Sequence, residues 1–248
     1  MQGRLLEFLT EEKEMQLKGG LYHKTQIKLA YNSNRIEGSR LSEEQTRCIF
    51  ETNTILNEGE EALAVDDIIE TVNHFRCFDY MLTHADEDLS ETMMKEYHKL
   101  IKENTSDAKK SWFLVGDYKQ RANEVGGIQT TEPDKVPREM GQLLSKYHGK
   151  KEIIFEDIID FHHDFESIHP FQDGNGRVGR MILFKECLKH DIMPFIIDEQ
   201  HKWYYYRGLK EYQREKGYLL DTCRSAQDAY EGAVNYFFPE LCGRRRVR

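Results

Sequence analysis

No run of residues in this 248-residue chain approaches the roughly 20 apolar positions that a membrane-spanning helix needs. The amino terminus, MQGRLLEFLTEEKEMQ, carries charges every few residues where a secretory leader would carry an apolar stretch. Both absences point to a cytoplasmic protein without a membrane partner. Cysteine is sparse too. Cys48, Cys77, Cys187, Cys223 and Cys242 are scattered, odd in number and form no C-x-x-C pair. That spacing argues against a disulfide framework or a zinc ribbon, and predicts reduced, mostly buried thiols. Basic charge is in deficit, with 35 Lys and Arg against 44 Asp and Glu and a net charge of -9. A broad nucleic-acid surface is therefore not expected. The terminal GRRRVR is a local exception, read as a frayed tail.

Proline is also rare, at five residues, so little interrupts helices. What is present is 32% charged and 39% apolar residues with a mean hydropathy of -0.73, enough for one large core under a well-solvated surface. Apolar residues recur at i, i+3 and i+4, which predicts a mainly α protein. Helices are expected over residues 2–17, 23–35, 66–84, 155–168, 177–189, 203–215 and 226–237. Another starts after Ser42, with Gln45 at the reciprocal capping-box position. Ser90 caps one ending near Asn104, and Pro137 opens one that stops at Gly149. Residues 116–137, GDYKQRANEVGGIQTTEPDKVP, differ: their glycines and turn signals predict an exposed hairpin. With no repeat, linker or low-complexity segment, the chain reads as one domain. Residues 1–85 form its N-terminal helices, 90–209 its centre and 210–248 its C-terminal helices and basic tail.

The densest chemistry lies in HPFQDGNGRVGR, His169 to Arg180. Gly174, Gly176 and Gly179 spell G-x-G-x-x-G, but a dinucleotide fingerprint needs a hydrophobic strand before its first glycine. Here Ile158, Ile159, Phe161, Phe165 and Ile168 recur at helical spacing instead, which defeats that reading. A glycine turn opening a helix can hold an anion on outward-pointing N–H groups. Arg177 and Arg180, three residues apart, can grip phosphate oxygens. Asp173 offers a hard oxygen for Mg²⁺, and His169 can take a proton from a hydroxyl. The set describes polyphosphate binding beside a general base, the equipment of phosphoryl or nucleotidyl transfer. His162 and His163 lack H-E-x-x-H spacing; one is expected to pack and the other to face solvent.

These twelve residues match, letter for letter, the Fic signature H-P-F-x-[DE]-G-N-G-R-x-x-R, with nine fixed positions. GDYKQRANEVGGIQTT resembles that family's hairpin flap over the active site. KWYYYRGL resembles its nucleotide-side helix, with Gly208 in place of the usual alanine. The resemblance covers about Ser90 to Leu209 well. It implies a Fic-type helical bundle with a β-hairpin flap, and AMP transfer from ATP to a Ser, Thr or Tyr hydroxyl of a target protein, self-modification included.

By motif position, the resemblance makes His169 the base, Phe171 the anchor of the loop, and Asp173 the ligand of Mg²⁺ or Mn²⁺. Gly174, Asn175 and Gly176 would line the anion hole, and Arg177 and Arg180 would hold the outer phosphates. The small Gly176 fits the AMP transferases, since phosphate-transferring relatives carry lysine there. Tyr205 and Tyr206 would lie on the nucleotide side, one packing and another flanking the adenine. Val125, Gly126, Gly127, Ile128, Gln129 and Thr130 would form the flap that docks the target. Upstream, SNRIEG resembles the family's inhibitory motif [ST]-x-x-x-E-[GN] at Ser33, Glu37 and Gly38. Glu37 would then reach Arg180 and fill the space of the γ-phosphate. Two alternatives stay open on sequence alone: removal of AMP from a modified protein, and a nucleotide-binding regulator without turnover. A homo-oligomer is compatible with each.

Overall fold

The computed structural model describes residues 4–56 and 62–239. The predicted helix start at Gln2, Cys242 and the basic tail lie outside the described residues. Among the described residues, ten α-helices and one hairpin follow in order: α1 (Leu5–Glu14), α2 (Leu21–Ile36), α3 (Glu43–Thr52), α4 (Val65–Thr83), α5 (Glu91–Lys102), β1 (Glu124–Val125), β2 (Ile128–Gln129), α6 (Val136–His148), α7 (Phe155–Ile168), α8 (Asn175–Lys189), α9 (Lys202–Glu211) and α10 (Gly217–Phe237). The architecture is mainly α, as the apolar spacing implies.

The organising element is α8. Fourteen of its fifteen residues are buried, so it has no polar face. It runs through the middle of the bundle against α1, α2, α4, α5 and α7. A helix buried all round loses the one-sided pattern of a surface helix. Its polar residues are therefore paired: Lys185 donates to Glu186 at 2.7 Å, and Glu186 also accepts from the Tyr147 hydroxyl at 2.8 Å.

Helix ends follow local chemistry where the sequence carries it. The Ser42–Gln45 capping box is formed, with Gln45 N donating to Ser42 Oγ at 3.1 Å and Ser42 N to Gln45 Oε1 at 2.9 Å. Ser90 Oγ accepts from Met93 N at 3.2 Å. The start of α2 is capped from a distance: the α1 carboxylate of Glu12 accepts from Tyr22 N at 2.7 Å. A side chain at Gly20 would collide with that carboxylate. This cap explains why α2 begins at Leu21 and not at His23. Similarly, α10 starts at Gly217, nine residues before the expected Ala226, because Leu219, Thr222 and Cys223 extend its buried face. The hairpin is shorter than its sequence suggests. Glu124 pairs with Gln129 and Val125 with Ile128, joined by Gly126 and Gly127 at φ +57° and +78°. Both positions lie in the left-handed region, where glycine pays no side-chain penalty.

Candidate active site

His169 ends α7 in a left-handed conformation (φ 52°), and Gly174 opens α8 in another (φ 82°). Between them the chain makes a tight loop. Asn175 closes it, accepting from Phe171 N at 2.8 Å and donating to Phe171 O at 2.9 Å. Phe171 is fully buried and stacks on His98, with ring centroids 4.1 Å apart. His98 Nδ1 accepts from Gly116 N at 3.0 Å, so Nε2 carries the proton and donates to the Asp173 carbonyl at 3.1 Å. Burial, reinforced by the Lys102 cation, brings His98 down to about 3 and keeps it in this neutral form.

The loop leaves the first turn of α8 open. The first helical bond there runs from Val178 N to Gly174 O at 3.1 Å, so the N–H groups of Asn175, Gly176 and Arg177 precede it. The two arginines diverge from that turn. Arg177 pairs with Glu70 of α4 and with Asp173 at 3.2 Å. Arg180 turns toward α2: it donates to Glu37 Oε1 at 2.6 Å, to Ser33 Oγ at 3.0 Å and to the Ser33 carbonyl at 3.0 Å. Burial works against the Arg180 charge, but Glu37 outweighs it and raises the guanidinium above its ordinary value. A Cβ at Gly176 would strike the Glu37 carboxylate, so the glycine makes room for that contact. Gly38 follows at φ +103°, ending α2 there.

Asp173 sits among cations. Its Oδ2 is 2.7 Å from Lys102 Nζ, and Lys102 also reaches Glu70 at 2.8 Å and Asp107 at 2.9 Å. Burial pushes the Asp173 carboxyl up, yet Arg177 and Lys102 win and hold it well below the usual carboxylate range. The carboxylate is ionised and 48% exposed. His169 is neutral for the opposite reason. Burial, with Lys119 adding to it, lowers the imidazole to about 4. Its Nδ1 has no hydrogen-bond partner among the described residues.

On the α9 side, Tyr205 is 1% exposed and its hydroxyl meets His162 Nε2 at 2.6 Å. Tyr206 is part-exposed and donates to the Ile36 carbonyl at 3.1 Å, one residue before Glu37. Glu199, just before α9, accepts from Arg35 Nε at 2.9 Å. The end of α2 is thus clasped from the α9 side as well as by Arg180. Gly208 has a packing cause: an alanine methyl there would meet the Leu219 backbone. Val125, Gly126, Gly127, Ile128 and Gln129 are exposed at the tip of the flap, whereas Thr130 turns inward at its base.

Several residues of the site gave no sign in the sequence. Glu70 and Lys102 belong to ion pairs between distant segments, which leave no local pattern. The split of His162 and His163 into one buried and one solvent-facing side chain is overturned: both are buried, His163 beneath Tyr212 at a centroid distance of 4.4 Å. Glu166, one turn after His162, is half-buried with its Oε1 atom buried and unpartnered among the described residues, and desolvation pushes it up to about 8.

Residues 88–186 match the Fic/DOC family model. Over that stretch this chain is similar to Fic domains. A protein adenylyltransferase Fic of Aedes aegypti is 26% identical over 192 residues, covering 74% of this chain and 36% of its own length. One of Nematostella vectensis is 28% identical over 211 residues, covering 78% and 46% respectively. This chain therefore spans less than half the length of these curated relatives. In fold, it is similar to a Fic domain containing signaling protein from Bacteroides thetaiotaomicron, with a TM-score of 0.74 over 96% of this chain and 97% of that one at 19% identity. The Fic match covers α7, the loop and nearly all of α8. Glu37 and Ser33, which grip Arg180, lie outside it.

Proposed function

We propose that this chain transfers AMP from ATP to a hydroxyl side chain of a target protein and that Glu37 holds the activity back. One observation carries the reading. A half-buried, neutral histidine stands one short loop from an open helix N-terminus whose two arginines are occupied by carboxylates that phosphate oxygens would replace. A neutral His169 can accept the proton of an incoming hydroxyl. The hydroxyl oxygen then bonds to the α-phosphorus, and the bond to the departing pyrophosphate breaks. The N–H groups of Asn175, Gly176 and Arg177, with the Arg177 and Arg180 side chains, would receive the charge that develops on the phosphates.

Asp173 suits Mg²⁺ or Mn²⁺: it is an ionised hard oxygen ligand at the mouth of the anion site. Among the described residues no cage of three or more His, Cys, Asp or Glu side chains exists, which fits an ion that takes its other ligands from phosphate and water. When bound, it would neutralise charge on the phosphates. The exposed flap tip, residues 125–129, is suited to register an extended target segment by strand addition. Tyr206, more exposed than Tyr205, is the better candidate to flank the adenine.

The test uses Glu37→Gly protein incubated in separate tubes with α-labelled and γ-labelled ATP, beside Glu37→Gly/His169→Ala. AMP transfer predicts label on protein from α-labelled ATP alone, abolished in the double variant. ATP binding without incorporation would instead support a regulator without turnover. Loss of AMP from a pre-modified protein, by wild type but not by Glu37→Gly, would support the reverse reaction.

A further inference from the structure

Residues 119–123 run alongside 168–172 as a hydrogen-bonded seam. Lys119 N donates to the Pro170 carbonyl at 2.9 Å, and Arg121 N to Gln172 Oε1 at 3.3 Å. Asn123 Nδ2 reaches the carbonyls of Phe171 at 3.3 Å and Gln172 at 3.4 Å. At the centre lies the Lys119 side chain, only 3% exposed. Its ammonium donates to Thr130 Oγ1 at 2.6 Å, Asn123 Oδ1 at 2.7 Å and the Ile168 carbonyl at 3.4 Å. Three donors meet three oxygens, two from the two arms of the flap and one from the residue before His169. None is a carboxylate. A buried cation with only neutral partners is costly, and a neutral side chain could tie the same knot at lower cost.

We propose that Lys119 is a positioning residue that locks the flap to the catalytic loop, so that a segment laid on the flap is registered against His169. The proposal rests on the reading of His169 as base in transfer to a protein hydroxyl. The charge has its own use. Three charged groups act electrostatically on His169: Lys119 after α5, Glu37 from α2 and Asp173 from the loop. Lys119 is the cation among them, and it opposes protonation of the imidazole where the two carboxylates favour it. Burial brings Lys119 itself down to about 8, so at neutral pH it remains mostly charged beside a neutral base. One side chain thereby holds the flap in position and reinforces the burial that keeps the base neutral.

The experiment needs no nucleotide and no target. The full chain is prepared with ¹³C-labelled histidine, and the His169 resonance is assigned by its loss in His169→Ala. Titration and amide hydrogen exchange over residues 123–130 are then compared in wild type, Lys119→Met, Lys119→Arg and Thr130→Val. In Lys119→Met the His169 midpoint should move upward and flap exchange should accelerate severalfold. Lys119→Arg should restore both. Thr130→Val, which cuts one tether and keeps the charge, should accelerate flap exchange with the midpoint unmoved. A Lys119→Met protein in which His169 titrates as in wild type overturns the proposal, and so does a Lys119→Arg protein that behaves like it. Should Lys119→Met fail to fold, wild-type exchange rates in Thr130→Val overturn the proposal on their own. Failure of the transfer reading is scored separately, by the absence of α-label on Glu37→Gly protein.

Discussion

The Arg180 guanidinium and the Glu37 carboxylate meet at 2.6 Å across 143 residues of sequence, in a pocket where Arg180 is 5% exposed. A pair so placed competes with any anion that Arg180 could otherwise hold. Glu37→Gly should therefore raise AMP incorporation, by about 10²-fold if the gain is that of correct triphosphate positioning. Adding Arg180→Ala should erase the gain. Ser33→Ala removes one of the three acceptors from the same guanidinium and should give a smaller rise. Initial rates with α-labelled ATP, on proteins with matched melting curves, decide it.

With His169 as the proposed base, its protonation state should set the acid limit of transfer. A base works only while deprotonated, which means above its pKa, and burial followed by Lys119 lowers this one to about 4. The rate of released Glu37→Gly protein should be flat from about pH 8 down to about pH 6, with the acid limb well below the ordinary histidine value of about 6.5. A pH profile of kcat/KM checks this. An acid limb centred near 6.5 would count against His169 as the group that titrates.

Asp173 has two sets of claims on it, the cations behind it and the ion proposed in front. Asp173→Asn should weaken Mg²⁺-dependent ATP binding by at least about tenfold, whereas Gln172→Ala should leave it close to wild type. The fold should survive, because Lys102 keeps Glu70 and Asp107. Calorimetric titration of ATP with Mg²⁺ and with EDTA, beside a thermal melt, separates the two effects. Equal losses from both substitutions would mean that the loop tolerates no change.

Much of this site could be read from letters in a row. The loop from His169 to Arg180 is local, and its glycines, asparagine and arginines sit where one tight turn and one helix start require them. The Ser42–Gln45 capping box, the Ser90 cap and the two-glycine turn of the flap were legible for the same reason. Contacts between distant segments were legible only where a second motif marked the other end, as SNRIEG does for Arg180. Glu70, Lys102 and Lys119 are ordinary charged residues by pattern, and only the packing of α4, α5 and the flap gives them work. His163 misleads similarly: nothing near it in sequence announces that Tyr212 covers it.

Glu166 offers a test of stability and not of rate. Its folded-state pKa is pushed up by burial to about 8, above the ordinary glutamate value of about 4.5. Its contribution is therefore complete below about pH 4.5 and is lost as pH rises through about 8, because the unfolded chain releases the proton first. Glu166→Gln should raise Tm at pH 8 and change it little at pH 5. Equal shifts at both values would mean that Glu166 does not hold its proton in the folded protein.

Helix α2 carries Ser33 on a body in which twelve of sixteen residues are buried, with Glu37 directly after its last turn. Leu21, Tyr22 and Leu29 belong to the main core, and Gln26 ties α2 to Asp79 of α4 at 2.9 Å. The proposed plug and the foundation are one piece of chain. Deleting α2 to unmask Arg180 would remove a wall of the building, and the product should be an aggregating chain instead of a freed enzyme. Under the proposed inhibition, release should be confined to the final turn, where Tyr206 makes one partly exposed contact, Arg35 holds Glu199 and the Ser39 carbonyl, and Gly38 can swing. A signal that frees Arg180 has only to lift a latch a few residues long.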